Sequence, residues 1–401
     1  KRALILASLL ISLPLISFGE DNVEPYLWLE DVEGEEALEW AEARNAESLT
    51  ALQNLPEYQP LYDKNLAVYD SEDSIAYPRI RGDFLYNFWR DDANPRGLFR
   101  RTSLEKFATD DPEWEVVIDI DALSRKEDRQ WVFKGMNCLA KRPEHCLVRL
   151  SPGGGDAVVT REFNSVDKTF VEGGFYLPLA KGAASWIDAD TVFVSTDFGE
   201  GSMTDSGYPR LVKRWQRGTP LAEASWVYEA DVSSVSAGAF VLHSAGDDIE
   251  MVRDGKTFWT TERYQLLDGK KQHLELPLSA TVNGAFQGRL IISLKEDWDR
   301  AGTTYKQGSV LVADTTALHS GGKGMIEVLI EPNETMVVEA VNTTDSTVLV
   351  TVLDNVRGKI YRYTPGPEGR WDRALVSFPD NGSLEITSID DETGNFFARF
   401  E

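Results

Sequence analysis

Cysteine and histidine are scarce: the 401 residues hold two Cys and four His. Two cysteines cannot staple a small loop-rich scaffold. Four scattered histidines leave little from which to build a metal site, and no H-E-x-x-H, C-x-x-C or EF-hand loop occurs. No cofactor is therefore expected. Positive charge is also short, with 41 Lys+Arg against 66 Asp+Glu and a net charge of −25. Such a balance argues against nucleic acid or an anionic membrane surface as a partner. A G-x-S-x-G nucleophile elbow is missing, and His145, His243, His273 and His319 sit in no recognisable triad context; they read as strand or loop residues. Ser151-Pro-Gly-Gly-Gly155 lacks the Lys-Ser/Thr of a phosphate cradle and reads as a tight turn between strands.

What is present begins with an export pattern. Lys1 and Arg2 form a basic start, Ala3 to Ile16 an apolar run, and Ser17-Phe18-Gly19 a small-x-small cleavage site. The competing reading is a membrane anchor, but the run contains Pro14 and falls short of the roughly 20 residues that span a bilayer. Residues 1–19 are thus expected to be a signal peptide, and the protein periplasmic or secreted, with no membrane contact after cleavage. In an oxidising compartment Cys138 and Cys146 become a possible pair. The text between them, Leu139 to His145, reads as a strand, a Pro-containing turn and a returning strand. Disulfide and free thiols both stay open, because sequence does not fix the register.

Residues 20–73 read as a helical segment and residues 74–401 as strands. Glu35 and Glu36 favour a helix start, and the spacing predicts a helix over Glu35 to Gln53 with Leu38, Ala41, Asn45, Leu49 and Leu52 as a buried stripe. A second helix is expected from about Glu57 to Val68. Beyond residue 73 one kind of apolar run recurs. It begins at Phe84, Cys146, Val192, Phe240, Leu290, Val348 and Phe396, about 52 residues apart on average. Several strands per unit at that period predict a mainly β chain folded as a seven-bladed β-propeller, each blade covering its neighbour. A β-sandwich pair or a β-helix are the alternatives, but a sandwich needs no such recurrence. Only about two strands fit after Glu385, so the seventh blade is expected to be incomplete and the chain truncated there.

The segment Asp197 to Arg210 (DFGEGSMTDSGYPR) is poor in apolar residues and rich in glycine and hydroxyl groups. It is expected to be mobile, serving either gating or binding, or standing as a tolerated insertion. Asp197, Phe198, Gly199, Tyr208 and Arg210 are the candidate gating residues. Ser195-Thr-Asp197-Phe-Gly199 also matches the S-x-D-x-G core of the Asp-box of sialidase-like propellers. It occurs once and continues with Glu200-Gly-Ser202 rather than Thr-Trp, so chance similarity is the reading preferred.

Pro25-Tyr-Leu-Trp-Leu-Glu-Asp31, with the acidic helix through Glu42-Ala-Arg-Asn45, resembles the start of the prolyl oligopeptidase family, and Trp131 to Phe163 shares in the likeness. Glu30-Asp31 leans towards its prolyl-specific branch rather than the oligopeptidase B branch. The resemblance implies a propeller that restricts entry to short peptides and precedes a C-terminal α/β-hydrolase domain carrying the catalytic Ser, Asp and His. It implies a gating role for loop 197–210 by position and composition. No catalytic position matches in this sequence, so the chain alone is expected to be an inactive part of a serine-type peptidase. The alternative is a free-standing periplasmic binding or scaffold propeller; a propeller glycosidase stands third.

Mass spectrometry of the exported protein is expected to find a mature N-terminus at Glu20. Residues 1–19 retained in a membrane fraction would contradict a cleaved signal.

Overall fold

The computed structural model describes residues 24–31, 33–71 and 75–401. The signal-peptide reading lies outside them. The chain divides into two compact units, 1–73 and 74–401. No described helix is long and apolar enough to cross a membrane.

The first unit contains α1 (Glu35–Gln53) and α2 (Tyr58–Tyr69). Glu35 and Glu36 lie in the first turn of α1, where carboxylates offset the exposed N–H groups. The expected buried stripe is not realised. Leu38, Leu49 and Leu52 are half-exposed, and Ala37 is the residue of α1 that is buried. Two helices alone offer no second layer to cover such a stripe.

The second unit is a succession of antiparallel sheets in chain order. The first holds β1 (Arg79–Arg81), β2 (Phe84–Asp91), β3 (Asn94–Ser103) and β4 (Glu115–Asp119), with α3 (Leu104–Phe107) before β4 and α4 (Ile120–Glu127) after it. The second holds β5 (Trp131–Leu139), β6 (Arg142–Pro152), β7 (Val158–Asn164) and β8 (Thr169–Phe170), and β9 (Tyr176–Ala180) folds back onto β7. The third comprises β10 (Ala183–Asp188), β11 (Thr191–Ser195), β12 (Leu211–Gln216) and β13 (Ser225–Glu229). The fourth comprises β14 (Ser236–Leu242), β15 (Ile249–Gly255), β16 (Thr261–Leu267) and β17 (Lys270–His273). The fifth begins with β18 (Thr281–Phe286) and β19 (Arg289–Ser293). A separate hairpin of β20 (Trp298–Arg300) and β21 (Thr303–Tyr305) follows, and β22 (Val310–Asp314) and β23 (Ile326–Ile330) complete the fifth sheet. The sixth has β24 (Met336–Thr343), β25 (Val348–Asp354), β26 (Arg357–Pro365) and β27 (Trp371–Val376). A two-stranded sheet, β28 (Leu384–Ile389) with β29 (Phe396–Phe400), comes last.

The recurring apolar runs are second strands, with one exception. Phe240 belongs to β14, the first strand of its sheet, and the second strand there is Ile249–Gly255. That slip explains part of the uneven spacing. Successive strand residues point to opposite faces, so a run apolar at every position serves two neighbours at once. In β11, Val192 and Val194 join a core with Leu147 and Phe175 of the preceding sheet, while Phe193 joins Val252 of the following one. In β19, Leu290 and Ile292 face back towards Ile249 and Met251, and Ile291 faces forward to Val348 and Val350. In β6, Cys146 and Val148 meet Tyr86 and Phe99, whereas Leu147 turns to Trp186. Each wholly buried side chain of this kind contributes about 1.5–3 kcal/mol.

The first and last sheets meet at a seam. Ile80 N donates to Ser388 Oγ at 2.8 Å, and Phe107 meets the Phe397 ring edge-on at 5.6 Å. A cavity of about 500 Å3 lined by Phe84, Leu104, Phe396 and Phe397 remains between them.

Phe163, buried between the first and second sheets against Phe170, sets a contrast with that seam. Phe163→Ala is expected to cost ~3–5 kcal/mol in urea unfolding, and Phe397→Ala beside the open cavity about half as much. Equal losses would contradict the difference in packing.

Candidate functional site

The first strands of several sheets end around one point. The end of β1 and the turns after β5, β14, β24 and β28 bring Arg81, Lys141, His243, Asp345 and Asp391 to the wall of one cavity of about 440 Å3. Sheets from distant parts of the sequence share a wall only if their first strands run side by side about an axis. Neighbouring strands and turns are held to one another here. Arg81 Nη2 donates to Met136 O at 3.0 Å, Asp345 N donates to Asp391 O at 2.7 Å, and Gly288 N donates to Ser244 Oγ at 3.1 Å. At Gly246 a Cβ would lie 2.7 Å from Gln287 C, so the fourth and fifth turns approach too closely for any other residue.

The cavity carries mixed charge. Burial lowers the Arg81 pKa from its ordinary value. Asp391 stays exposed to solvent, yet desolvation by the surrounding turns raises its pKa; the neighbouring Asp390 and Asp345 carboxylates push the same way, and His243 opposes them. His243 Nδ1 lies 2.9 Å from Asp248 Oδ2. Among the described residues no cluster of His, Cys, Asp or Glu is arranged to hold a metal ion.

Cys138 on the cavity wall and Cys146 are joined in a disulfide, with the two residues directly opposite in the β5–β6 register. Of the Ser151–Gly155 stretch, Ser151 and Pro152 end β6, and Gly153 to Gly155 open the β6–β7 turn, with Gly153 and Gly154 at φ of 75° and 90°.

Loop 197–210 joins β11 to β12. In an antiparallel sheet the turn between second and third strands lies at the opposite end from the turn between first and second. The loop is therefore remote from the axial cavity, and the structure does not bring Asp197, Phe198, Gly199, Tyr208 or Arg210 to that wall. Instead of an open excursion, it is a folded clasp. Asp197 Oδ1 accepts from Gly199 N at 2.8 Å, Thr204 N donates to Tyr208 O at 2.8 Å, and Arg210 N donates to Ser202 O at 3.0 Å. Arg210 ties the clasp to the strand behind it, donating to Ala230 O at 2.9 Å and Gly201 O at 2.8 Å and pairing with Glu229. Phe198 lies under the Lys213 ammonium at 4.1 Å. Tyr208 Oη donates to Asp156 at 2.9 Å, and that bond raises its pKa.

The histidines form no nucleophile pair. His145 faces Arg142 and Glu162, His243 faces Asp248, His273 faces Glu262, and His319 faces Gln265. Most of these contacts are structural. The almost wholly buried Glu162 carboxylate takes both guanidinium nitrogens of Arg217, at 2.8 and 2.9 Å, and the Phe175 N–H at 2.8 Å. That bidentate pair ties the second sheet to the third.

Sequence reading passed over the cavity-lining turns. Their signal lies in the same recurrence: in five of the seven sheets the stretch at or just before the second strand, such as 243–248 or 344–347, reaches the cavity.

The family model for the prolyl oligopeptidase N-terminal beta-propeller domain matches residues 16–401. An uncharacterized peptidase of Sinorhizobium fredii is 33% identical over 391 residues, covering 95% of this chain and 53% of its own. An uncharacterized peptidase of Rickettsia prowazekii is 28% identical over 406 residues, covering 94% and 56%. Among solved structures, a post-proline cleaving enzyme from Rickettsia typhi superposes with a TM-score of 0.82 at 29% identity, over 90% of this chain and 55% of that one. Oligopeptidase B from Trypanosoma brucei shares the fold, with a TM-score of 0.66 at 16% identity, over 94% and 52%. The chain spans about half the length of the curated relatives it matches.

Asp391 sets a pH test. A carboxyl whose folded pKa is raised contributes stability below its unfolded value near 3.8 and loses it as pH rises through the raised value. Asp391→Asn is expected to remove this decline and to leave the variant more stable than the parent at neutral pH. Thermal melts across pH 3–7 check it; parallel profiles for both proteins would refute it.

Proposed function

Since the chain belongs to the prolyl oligopeptidase family and forms its N-terminal β-propeller, we propose that it is the substrate-gating part of a serine-type peptidase acting on short peptides. The observation that carries the reading is the axial cavity, walled by turns from separate sheets within a propeller whose relatives are peptidases about twice as long. A ring of sheets is rigid, so an opening at its axis admits an extended peptide and excludes a folded protein. The peptide bond would then be cut outside this chain, where a following α/β-hydrolase domain supplies a Ser nucleophile and a His base. In this reading β28 and β29 are the inner half of a seventh blade, and loop 197–210 borders the space between propeller and hydrolase. The basic, apolar and small-residue pattern of residues 1–19 supports a periplasmic or secreted setting.

The chain alone is expected to leave a proline-containing fluorogenic peptide uncut and to resist a serine-directed phosphonate. Fused to the C-terminal half of the Sinorhizobium fredii relative, it is expected to cleave short peptides and to spare folded proteins. Ala140→Trp, on the cavity wall, should lower kcat/KM more for a long peptide than for a dipeptide substrate. Hydrolysis by the chain alone, or equal attack on folded proteins by the fusion, would overturn the proposal.

A further inference from the structure

The large apolar side chains of the second unit that are most exposed are Trp259 at 88%, Val356 at 85% and Phe258 at 84%. All three stand on turns between second and third strands. Phe258 and Trp259 cap the β15–β16 turn, and Val356 caps β25–β26. These turns share the end of the sheets opposite the axial cavity.

Neither turn needs an apolar tip. In β25–β26, Asp354 pairs with Arg357, and the two residues between them, Asn355 and Val356, have φ of 50° and 61°. Such two-residue turns favour Asn followed by Gly, and a β-branched residue at positive φ is strained. Glycine would fit the backbone better and a polar residue the solvent. In β15–β16, Lys256 N donates to Thr260 O at 2.9 Å, and Thr257 Oγ1 accepts from Trp259 N and Thr260 N at 3.1 Å each. The turn is closed by its own polar groups, and these bonds hold two aromatic rings out in solvent. A single exposed apolar residue is ordinary, but two adjacent aromatic rings held out on a closed turn are side chains of the kind that anchors contacts between proteins.

The end of the sheets names the occupant. β29 is a second strand, so it runs towards these same turns, and Ser383 N donates to Glu401 O at 2.8 Å there. A polypeptide continuing from Glu401 emerges beside them, and the relatives carry about as many residues again as this chain matches. We propose that Phe258, Trp259 and Val356 are the contact points on which the domain following the propeller closes. This rests on the two-domain reading given above. The axial cavity then opens away from that domain, and the aromatic tips hold the closed arrangement from the other end.

The test uses the fusion to the C-terminal half of the Sinorhizobium fredii relative. A benzophenone amino acid replacing Trp259 is expected to cross-link within one molecule to the appended domain, with the acceptor peptides mapped by mass spectrometry. The variant F258S/W259S/V356G is expected to keep the parental melting profile, to expand in small-angle scattering, and to lose at least tenfold in kcat/KM on a short peptide. Cross-links to a second copy alone, or no cross-link with unchanged scattering, would overturn the proposal. If the fusion cross-links and the triple variant expands but no peptide is cut, the contact stands and the peptidase reading falls. If peptides are cut equally well by parent and variant without cross-linking, the peptidase reading stands and the contact falls.

Discussion

A sheet that is apolar on both faces must be covered on both faces, and everything in the second unit follows from that requirement. β11, β19 and β25 are buried at nearly every position because their alternate residues serve different neighbours. Val192 and Phe193 are adjacent in the chain yet belong to separate cores. No sheet is stable by itself, and each interface is half of two others. Such an array propagates around an axis, and its first strands cannot fill the middle, because side chains there have no opposing sheet. The axial cavity is thus a consequence of the packing that builds the fold.

Polar contacts reinforce this arrangement at points the apolar cores do not reach. Glu162 with Arg217 links the second and third sheets, Tyr228 Oη donates to the buried Asp254 at 2.8 Å across the third and fourth, and Trp371 Nε1 donates to Glu327 at 2.9 Å across the sixth and fifth. Burying such charges gains little net stability even when they are paired, whereas removing one partner leaves the other unsatisfied. Their effect is to penalise sliding of one sheet over the next. Two interlocked sheets can shift only by breaking a directional bond as well as an apolar contact. The wall around the axis is stiffened in the same way.

How much of this was legible in the sequence depended on range. The recurrence of Phe84, Cys146, Val192, Leu290, Val348 and Phe396 is local text, and it located the second strands. Phe240 was misplaced by one strand because β14 and β15 are both apolar, and periodicity cannot tell the first from the second. Glu35 to Gln53 was readable as a helix from its charges and ending. Its buried face was not, since burial depends on what lies opposite. Loop 197–210 has the composition of a mobile segment, yet its hydroxyl and carboxylate groups satisfy one another, and the glycines that suggested freedom supply positive φ for its turns, as at Gly199 and Gly201. The cavity wall was illegible for a different reason: Arg81 and Asp391 are 310 positions apart, and only closure of the ring makes them neighbours.

The antiparallel sheet also separates two tasks that a single loop cluster would confuse. Turns between first and second strands converge on the axis, where contact between neighbouring turns keeps them short, as at Gly246 against Gln287. Turns between second and third strands lie nearer the middle of each sheet, so they are free to lengthen. Loop 197–210 and the β20–β21 hairpin are both insertions at that end. The turns at the axis are therefore held to one shape, while those at the other end are free to vary. An aromatic tip such as Trp259 costs the fold little there, because its turn is closed by Thr257 and Lys256. The same side chain placed at the axis would occlude the opening. Division of labour between the two ends is thus set by strand order, before any particular side chain is chosen.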